Sequence, residues 1–397
     1  MTESSAHPIS TLLIGNESLT QECGTLLLAH GHQIAAVVTQ NAELQKWAHA
    51  KGLRVQTSFH SLEDLSVDWL FSIANLEVIP GETLARAKVA VNFHDGPLPR
   101  YAGLNAPVWA IMNGESQFGI SWHVIEGGID EGDLLEQRLF DIAATETALT
   151  LNSRCFEAAL DSFPAVLAQL ESGYLQRKPQ DLTKRSLCKR FDRPANFGLI
   201  DFDQTAETVV RRIQALDHGR YWNPLTTPKI SLDGQVWNVG SAQSVAGQGQ
   251  PGAILAADAE SMTVACRDGA VRLATFRRQR KGLPITLPKL TAQKLDAAAE
   301  GLTQAAQRTA RNDAQMRAKL RGLEPLILSQ KAGVASWQSL PLVGDLGDLA
   351  LAAVHVAGLT TADLALAAQG VPGYVSAWRP LRANVSGRVS EARAALD

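Results

Sequence analysis

Between Thr11 and Phe93 short apolar runs alternate with amphipathic stretches, and that alternation leaves few folds open to the chain. The runs TLLIG from Thr11, IAAVVT at 34–39, VDWLFSI at 67–73 and KVAVNF at 88–93 are apolar on both faces, as strands covered by helices on each side must be. Helical periods run to about His30, from Leu44 to Ala50, and briefly after Pro80. Strands and helices in that order make a mostly parallel, Rossmann-like α/β domain. Gly15 ends the first run, yet GNESLT lacks the spaced glycines that bring a dinucleotide pyrophosphate to a helix N-terminus, so a nicotinamide cofactor is not expected.

Farther along, Leu149, Phe156, Leu160, Phe163, Leu167 and Leu170 fall at helical spacing within 146–172, with a break or kink expected at Pro164 and a stop at Gly173. Residues 174–200 are rich in Lys, Arg, Gln and Pro and read as a linker, followed by a helix from about Gln204 to Leu216. The stretches KISLDGQVWNVG (229–240) and 252–277 then repeat short strands with Asp/Gly turns, which predicts a small β-barrel-like domain. Residues 291–322 have a helical period, and the Ala/Leu-rich tail to Asp397 is too short for a large core of its own. The expected division is 1–175, a linker at 176–204, 205–290, and a mainly helical appendage at 291–397.

A net charge of −3 and a pI near 6.3 give the chain no overall attraction to nucleic acid, and FRRQRKG (276–282) reads as a solvated turn. Cys23, Cys155, Cys188 and Cys266 are too scattered for a disulfide framework or a thiolate zinc site. With no leader-like N-terminus and no apolar run near the roughly 20 residues of a membrane span, a cytoplasmic location is expected.

Alternate residues of a strand share a face, so Asn92 and His94 project together from the C-terminal end of KVAVNF, where open α/β sheets bind ligands. The loop GPLPRYAG that follows is stiffened by Pro97 and Pro99. Asp130 lies in the Gly-rich SWHVIEGGIDEGDLL (121–135), between two strand-like segments. A lone buried histidine is usually structural and an acid in a turn is usually a turn former. Should the turn fold back over the sheet end, an Asn/His/Asp set without a Ser or Cys nucleophile suits acyl transfer between two bound substrates: histidine moves a proton, asparagine and histidine donate to an oxyanion, and aspartate orients the ring. His94, Asp95, His123, Asp130 and Asp133 show no standard ligand spacing, so no metal is expected.

The segment FHDGPLPRYAGLNAPVWAIMNGE followed by GIDEGDLL resembles the formyltransferases that use 10-formyltetrahydrofolate. Their Asn-x-His motif matches Asn92 and His94, their Leu-Pro-x-Tyr-x-Gly loop matches Leu98 to Gly103, and their Asp-x-Gly-Asp turn matches Asp130 to Asp133. The resemblance implies Asn92, His94 and Asp130 as catalytic residues and Asp133 as the accompanying loop acid. It also implies folate contacts at Ile73, Leu76, Ile79, Leu98, Gly128 and Asp133, although Ala74-Asn75-Leu76 departs from the family's usual basic or aromatic residues. PGAILAADAESMTVACRDGAVRL (251–273) resembles the OB-like C-terminal domain of methionyl-tRNA formyltransferases. Residues 311–330 and 349–385 resemble the connecting segment and condensation-like stub of nonribosomal peptide synthetases, without a condensation motif. The implied activity is formylation of an aminoacyl group on a carrier protein, with an adjoining adenylation domain as partner. A hydroxyornithine or amino-sugar acceptor is the alternative, and tRNA comes after it.

Overall fold

The computed structural model describes residues 8–59, 62–221, 223–278, 287, 293–298, 301–308 and 310–311, with the backbone of two further strands at 361–367 and 378–384. The N-terminal part holds strands β1 (Ser10–Ile14), β2 (Gln33–Val38), β3 (Val55–Gln56), β4 (Val67–Ser72), β5 (Ala87–His94), β6 (Ala102–Gly103), β7 (Gln117–Val124) and β8 (Leu134–Asp141). Between and after them come helices α1 (Ser18–Ala29), α2 (Ala42–Ala50), α3 (Gly81–Leu84), α4 (Ala106–Asn113) and α5 (Ala148–Ser172).

Seven strands form one sheet in the order β3-β2-β1-β4-β5-β7-β8. The first five are parallel, whereas β7 pairs antiparallel with both β5 and β8. The continuous apolar runs explain the coverage: on β1, Leu13 enters one core with Leu27, Phe71 and Phe163, while Leu12 and Ile14 enter the core on the other face with Leu62 and Leu70. Phe71 meets Phe163 at 5.3 Å between ring centres, and Trp122 meets the same ring at 5.2 Å, which fixes α5 against the sheet.

Helix α5 differs from expectation in running unbroken from Ala148 to Ser172 with Pro164 inside it. Proline removes one backbone bond, and the burial of Leu151, Phe163, Val166, Leu167 and Leu170 along a single helix outweighs that loss. Gly173, at φ 69°, ends the helix where expected.

Residues 176–204 hold the short strand β9 (Leu187–Cys188), which pairs in parallel with β6, so this segment is bound to the first domain rather than free of it. Helix α6 (Ala206–Ala215), capped by the Thr205 side chain, packs Val209 and Ile213 into a core shared with Trp237, Val239 and Leu273. That core lines an antiparallel sheet in the order β10-β11-β14-β13-β12, made of β10 (Lys229–Leu232), β11 (Gln235–Val245), β12 (Ile254–Ala257), β13 (Ser261–Ala265) and β14 (Ala270–Arg278).

In the appendage, residues 302–308 are helical, and β15 (Thr361–Ala367) pairs antiparallel with β16 (Trp378–Asn384). The described part is therefore not mainly helical. The end of the FRRQRKG turn lies outside the described residues, as do 312–330 and, apart from the two strands, 349–385, the segments that carry the synthetase-like resemblance.

Candidate active site

Strand β5 ends on His94, which is 4 % exposed. Its Nε2 lies 2.8 Å from the carbonyl oxygen of Tyr101. A carbonyl only accepts, so Nε2 carries a proton and Nδ1 is the nitrogen left for chemistry. Tyr101 is set to reach the ring by a φ of 62°, held by its N–H to Ser186 Oγ at 2.8 Å and its hydroxyl to Glu115 Oε1 at 2.7 Å. The intervening loop is clamped by buried Ser121, whose Oγ donates to Gly96 O at 2.9 Å and accepts from Leu98 N at 3.1 Å and Gln137 Nε2 at 3.0 Å. A side chain at Gly96 would begin 2.6 Å from His94 Nε2, so glycine is what lets the loop close over the ring.

The segment between β7 and β8 folds back as the acyl-transfer reading requires. Asp130, at φ 55°, accepts the Gly103 N–H at 2.7 Å through Oδ2, and the same oxygen stands 3.6 Å from His94 Nδ1. Burial pushes the Asp130 carboxyl up, but the charge of His94, the bond and charge of His123 and the Gly103 N–H outweigh it and hold the group down at about 2. Asp95 Oδ1 lies 3.8 Å from the same Nδ1, and burial pushes its carboxyl up. Of the two carboxyls facing the ring, Asp130 is the one held down and Asp95 the one pushed up.

Asn92 reaches this pair through a fourth residue. Its Nδ2 lies 3.1 Å from Nε2 of His123, which stands opposite it on β7, and that Nε2 is 3.3 Å from Asp130 Oδ1. His123 Nδ1 donates to Val124 O at 2.9 Å. Neutral, the ring accepts the Asn92 amide; protonated, it donates to Asp130. In the sequence alone His123 stands only among donors without standard ligand spacing. The signal that could have found it is the alternation of Ser121 and His123 on the strand facing β5.

The turn that carries Asp130 is braced from the segment read as a linker. Gln180 Nε2 donates to Asp130 O at 2.9 Å and to Gly132 O at 2.6 Å, and Arg185 Nη2 donates to Ile129 O at 2.7 Å. Asp133 is turned to Arg177 at 2.9 Å, and the Gly128 N–H goes to Glu131 Oε2 at 3.0 Å. Leu98 is buried beside Ser121 and Gln137, which take its N–H and its carbonyl. Ile73 and Ile79 are packed into the two cores, whereas Leu76 is 70 % exposed at the end of β4. Asn92, His94 and Asp130 are brought together, with His123 between Asn92 and Asp130.

Residues 13–167 match the family described as Formyl transferase, and residues 194–286 match Formyl transferase, C-terminal domain, together more than half of the chain. The chain belongs to the formyl transferase family. Its curated relatives include the methionyl-tRNA formyltransferase of Citrifermentans bemidjiense, 27 % identical over 289 residues that cover 66 % of this chain and 87 % of the relative. That of Dechloromonas aromatica is 30 % identical over 196 residues, 49 % of this chain and 60 % of the relative. Among solved structures, the sugar 3N-formyl transferase WlaRD, in the presence of dTDP and 5-N-formyl-THF, superimposes with a TM-score of 0.57 at 18 % identity, covering 72 % of this chain and all of the other. HypX from Aquifex aeolicus, in complex with tetrahydrofolic acid, gives 0.51 at 21 % identity over 71 % of this chain and 46 % of its own. At these identities the two structures show a shared fold. The candidate site at the end of β5 is the cluster of Asn92, His94, His123 and Asp130.

Proposed function

We propose that this formyltransferase moves a formyl group from 10-formyltetrahydrofolate to the amine of an aminoacyl group on a carrier protein, with Asn92, His94 and Asp130 as catalytic residues. The observation that carries the reading is the fixed His94 ring, with Nε2 spent on the Tyr101 carbonyl and Nδ1 turned to an ionised Asp130. The folate donor is supported by family membership and by the folates named with the solved structures that share the fold.

In the reaction the amine nitrogen attacks the formyl carbon, and the carbonyl electron pair moves onto oxygen. Asn92 donates to that oxyanion, and His94, on the same strand face, joins it as a donor once its Nδ1 has taken the amine proton. The proton lost by the amine passes through His94 Nδ1, with Asp130 stabilising the imidazolium, and reaches the folate nitrogen as the carbon–nitrogen bond to it breaks. The products are an N-formyl amine and tetrahydrofolate.

A carrier-bound acceptor draws on the net charge of −3 and on the synthetase-like sequence of the tail. The proposed division, 1–175 catalytic, 176–204 linker, 205–290 OB-like and 291–397 connecting, belongs to the same reading. A second acceptor, aminoacyl-tRNA, is favoured by the relatives matched through both domains. Incubation of the full chain with 10-formyltetrahydrofolate and either aminoacyl carrier protein or methionyl-tRNA, read by mass, separates the two. A gain of one formyl group on the carrier supports the proposal; formylation of tRNA alone replaces the acceptor, and formylation of neither refutes both.

A further inference from the structure

His30, His32 and Glu171 meet toward the opposite end of the sheet from His94. His30 closes α1, His32 immediately precedes β2, and Glu171 lies in the last turn of α5. Strands β2 and β5 are parallel within one sheet, so the start of β2 and His94 at the finish of β5 lie at opposite ends. His30 Nδ1 is 3.1 Å and His32 Nε2 2.9 Å from the same Glu171 Oε1. Among the described residues this is the one grouping of three His, Cys, Asp or Glu whose donor atoms all lie within 4.8 Å of one another.

We propose that these three side chains form a peripheral site for a divalent cation of the zinc class, separate from formyl transfer. Two imidazole nitrogens and a carboxylate oxygen are a zinc donor set, with bonds of about 2.0–2.1 Å that put donor atoms about 3.3 Å apart around a tetrahedral ion. The two measured separations reach that value by spreading a few tenths of an ångström. The ligands are already held: His32 is buried edge-on to Trp69 at 5.3 Å, and the His30 and His32 rings stack at 6.3 Å. Burial pushes the Glu171 carboxyl up, but its bonds to the two histidines outweigh this and keep it ionised. His30 and Glu171 are 39 % and 29 % exposed along their side chains, so the fourth corner opens to water.

One feature limits the affinity. His32 Nδ1 is buried without a hydrogen-bond partner. When Nε2 gives its lone pair to the ion, the ring proton sits on Nδ1 with no acceptor, and loss of such an outer partner weakens a site about 10–100-fold. The cation therefore binds reversibly, joining α1, β2 and α5 when present.

The test uses the full chain stripped with EDTA and titrated calorimetrically with zinc chloride, alongside cobalt(II) absorption. One equivalent is expected to bind, to raise the thermal midpoint, and to give visible cobalt bands of low symmetry. His30→Ala and Glu171→Gln, both at the surface, are each expected to weaken binding at least tenfold, while His94→Ala leaves it unchanged. Formyl transfer is expected at the same rate with and without the ion. The proposal is overturned if no ion binds at millimolar zinc, if binding survives both surface variants, or if it disappears in His94→Ala.

Discussion

Replacing Asp130 with asparagine separates the charge of this residue from its shape. The carboxamide oxygen can still take the Gly103 N–H, and its size and shape are kept, but its amino group competes with the Asn92 amide for the one lone pair of neutral His123. What disappears is a negative charge 3.6 Å from His94 Nδ1. A carboxyl held at about 2 against an ordinary 3.8 favours the ionised fold by roughly 2 kcal/mol, at about 1.4 kcal/mol per unit. Because the folded value is depressed, that stability is complete above about pH 4 and is lost as pH falls toward 2. Asp130→Asn is therefore expected to melt about 4–8 °C below the parent at pH 7, with the gap narrowing through the acid range. In an assay of tetrahydrofolate release, kcat should fall about 10²–10⁴-fold, the usual worth of positioned proton transfer. An activity within threefold of the parent, or an equal gap in stability at pH 7 and pH 2.5, refutes the electrostatic role.

Gln180→Leu removes the two bonds to Asp130 O and Gly132 O, and is expected to lower kcat about tenfold with a shift of only a few degrees in melting temperature, read by steady-state kinetics and calorimetry. Gly132→Ala would set a Cβ 1.8 Å from the Val124 carbonyl oxygen, which backbone movement alone can relieve, so both stability and activity should drop, the latter more than tenfold. Lys229 is 3 % exposed, donates to Phe197 O at 3.0 Å, Thr227 O at 2.8 Å and the Thr226 hydroxyl, and is pulled by burial from 10.5 to about 7. The unfolded chain then keeps a proton that the folded chain has lost between about pH 7 and 10.5, so denaturation midpoints should rise across that window and the slope should flatten in Lys229→Met.

The parallel half of the sheet was legible because each strand had to be apolar on both faces, and Asn92 and His94 because two residues make one strand repeat. The Asp130 turn was legible as a loop, and its return to the sheet end is written in long-range bonds to Gly103 and Gln180 that no local pattern announces. The same holds for His123, whose meaning depends on the register that sets it opposite Asn92. Pro164 misled for a physical reason: a local penalty is visible in sequence, while the tertiary burial that overrides it is not. The segment 176–204 has the composition of a tether, and its role arises from side chains such as Gln180 and Ser186 reaching partners 48–85 residues away in the chain.

The bracing of the Asp130 turn by Gln180 and Arg185, and of Tyr101 by Ser186, has a practical consequence for anyone transplanting this activity. A module cut at the end of α5 would keep Asn92, His94, His123 and Asp130 and discard the strap that holds two of the surrounding loops in place. The smallest portable unit therefore extends past Cys188, through the β6–β9 pair, and its final dozen residues act as a fastening rather than as a spacer.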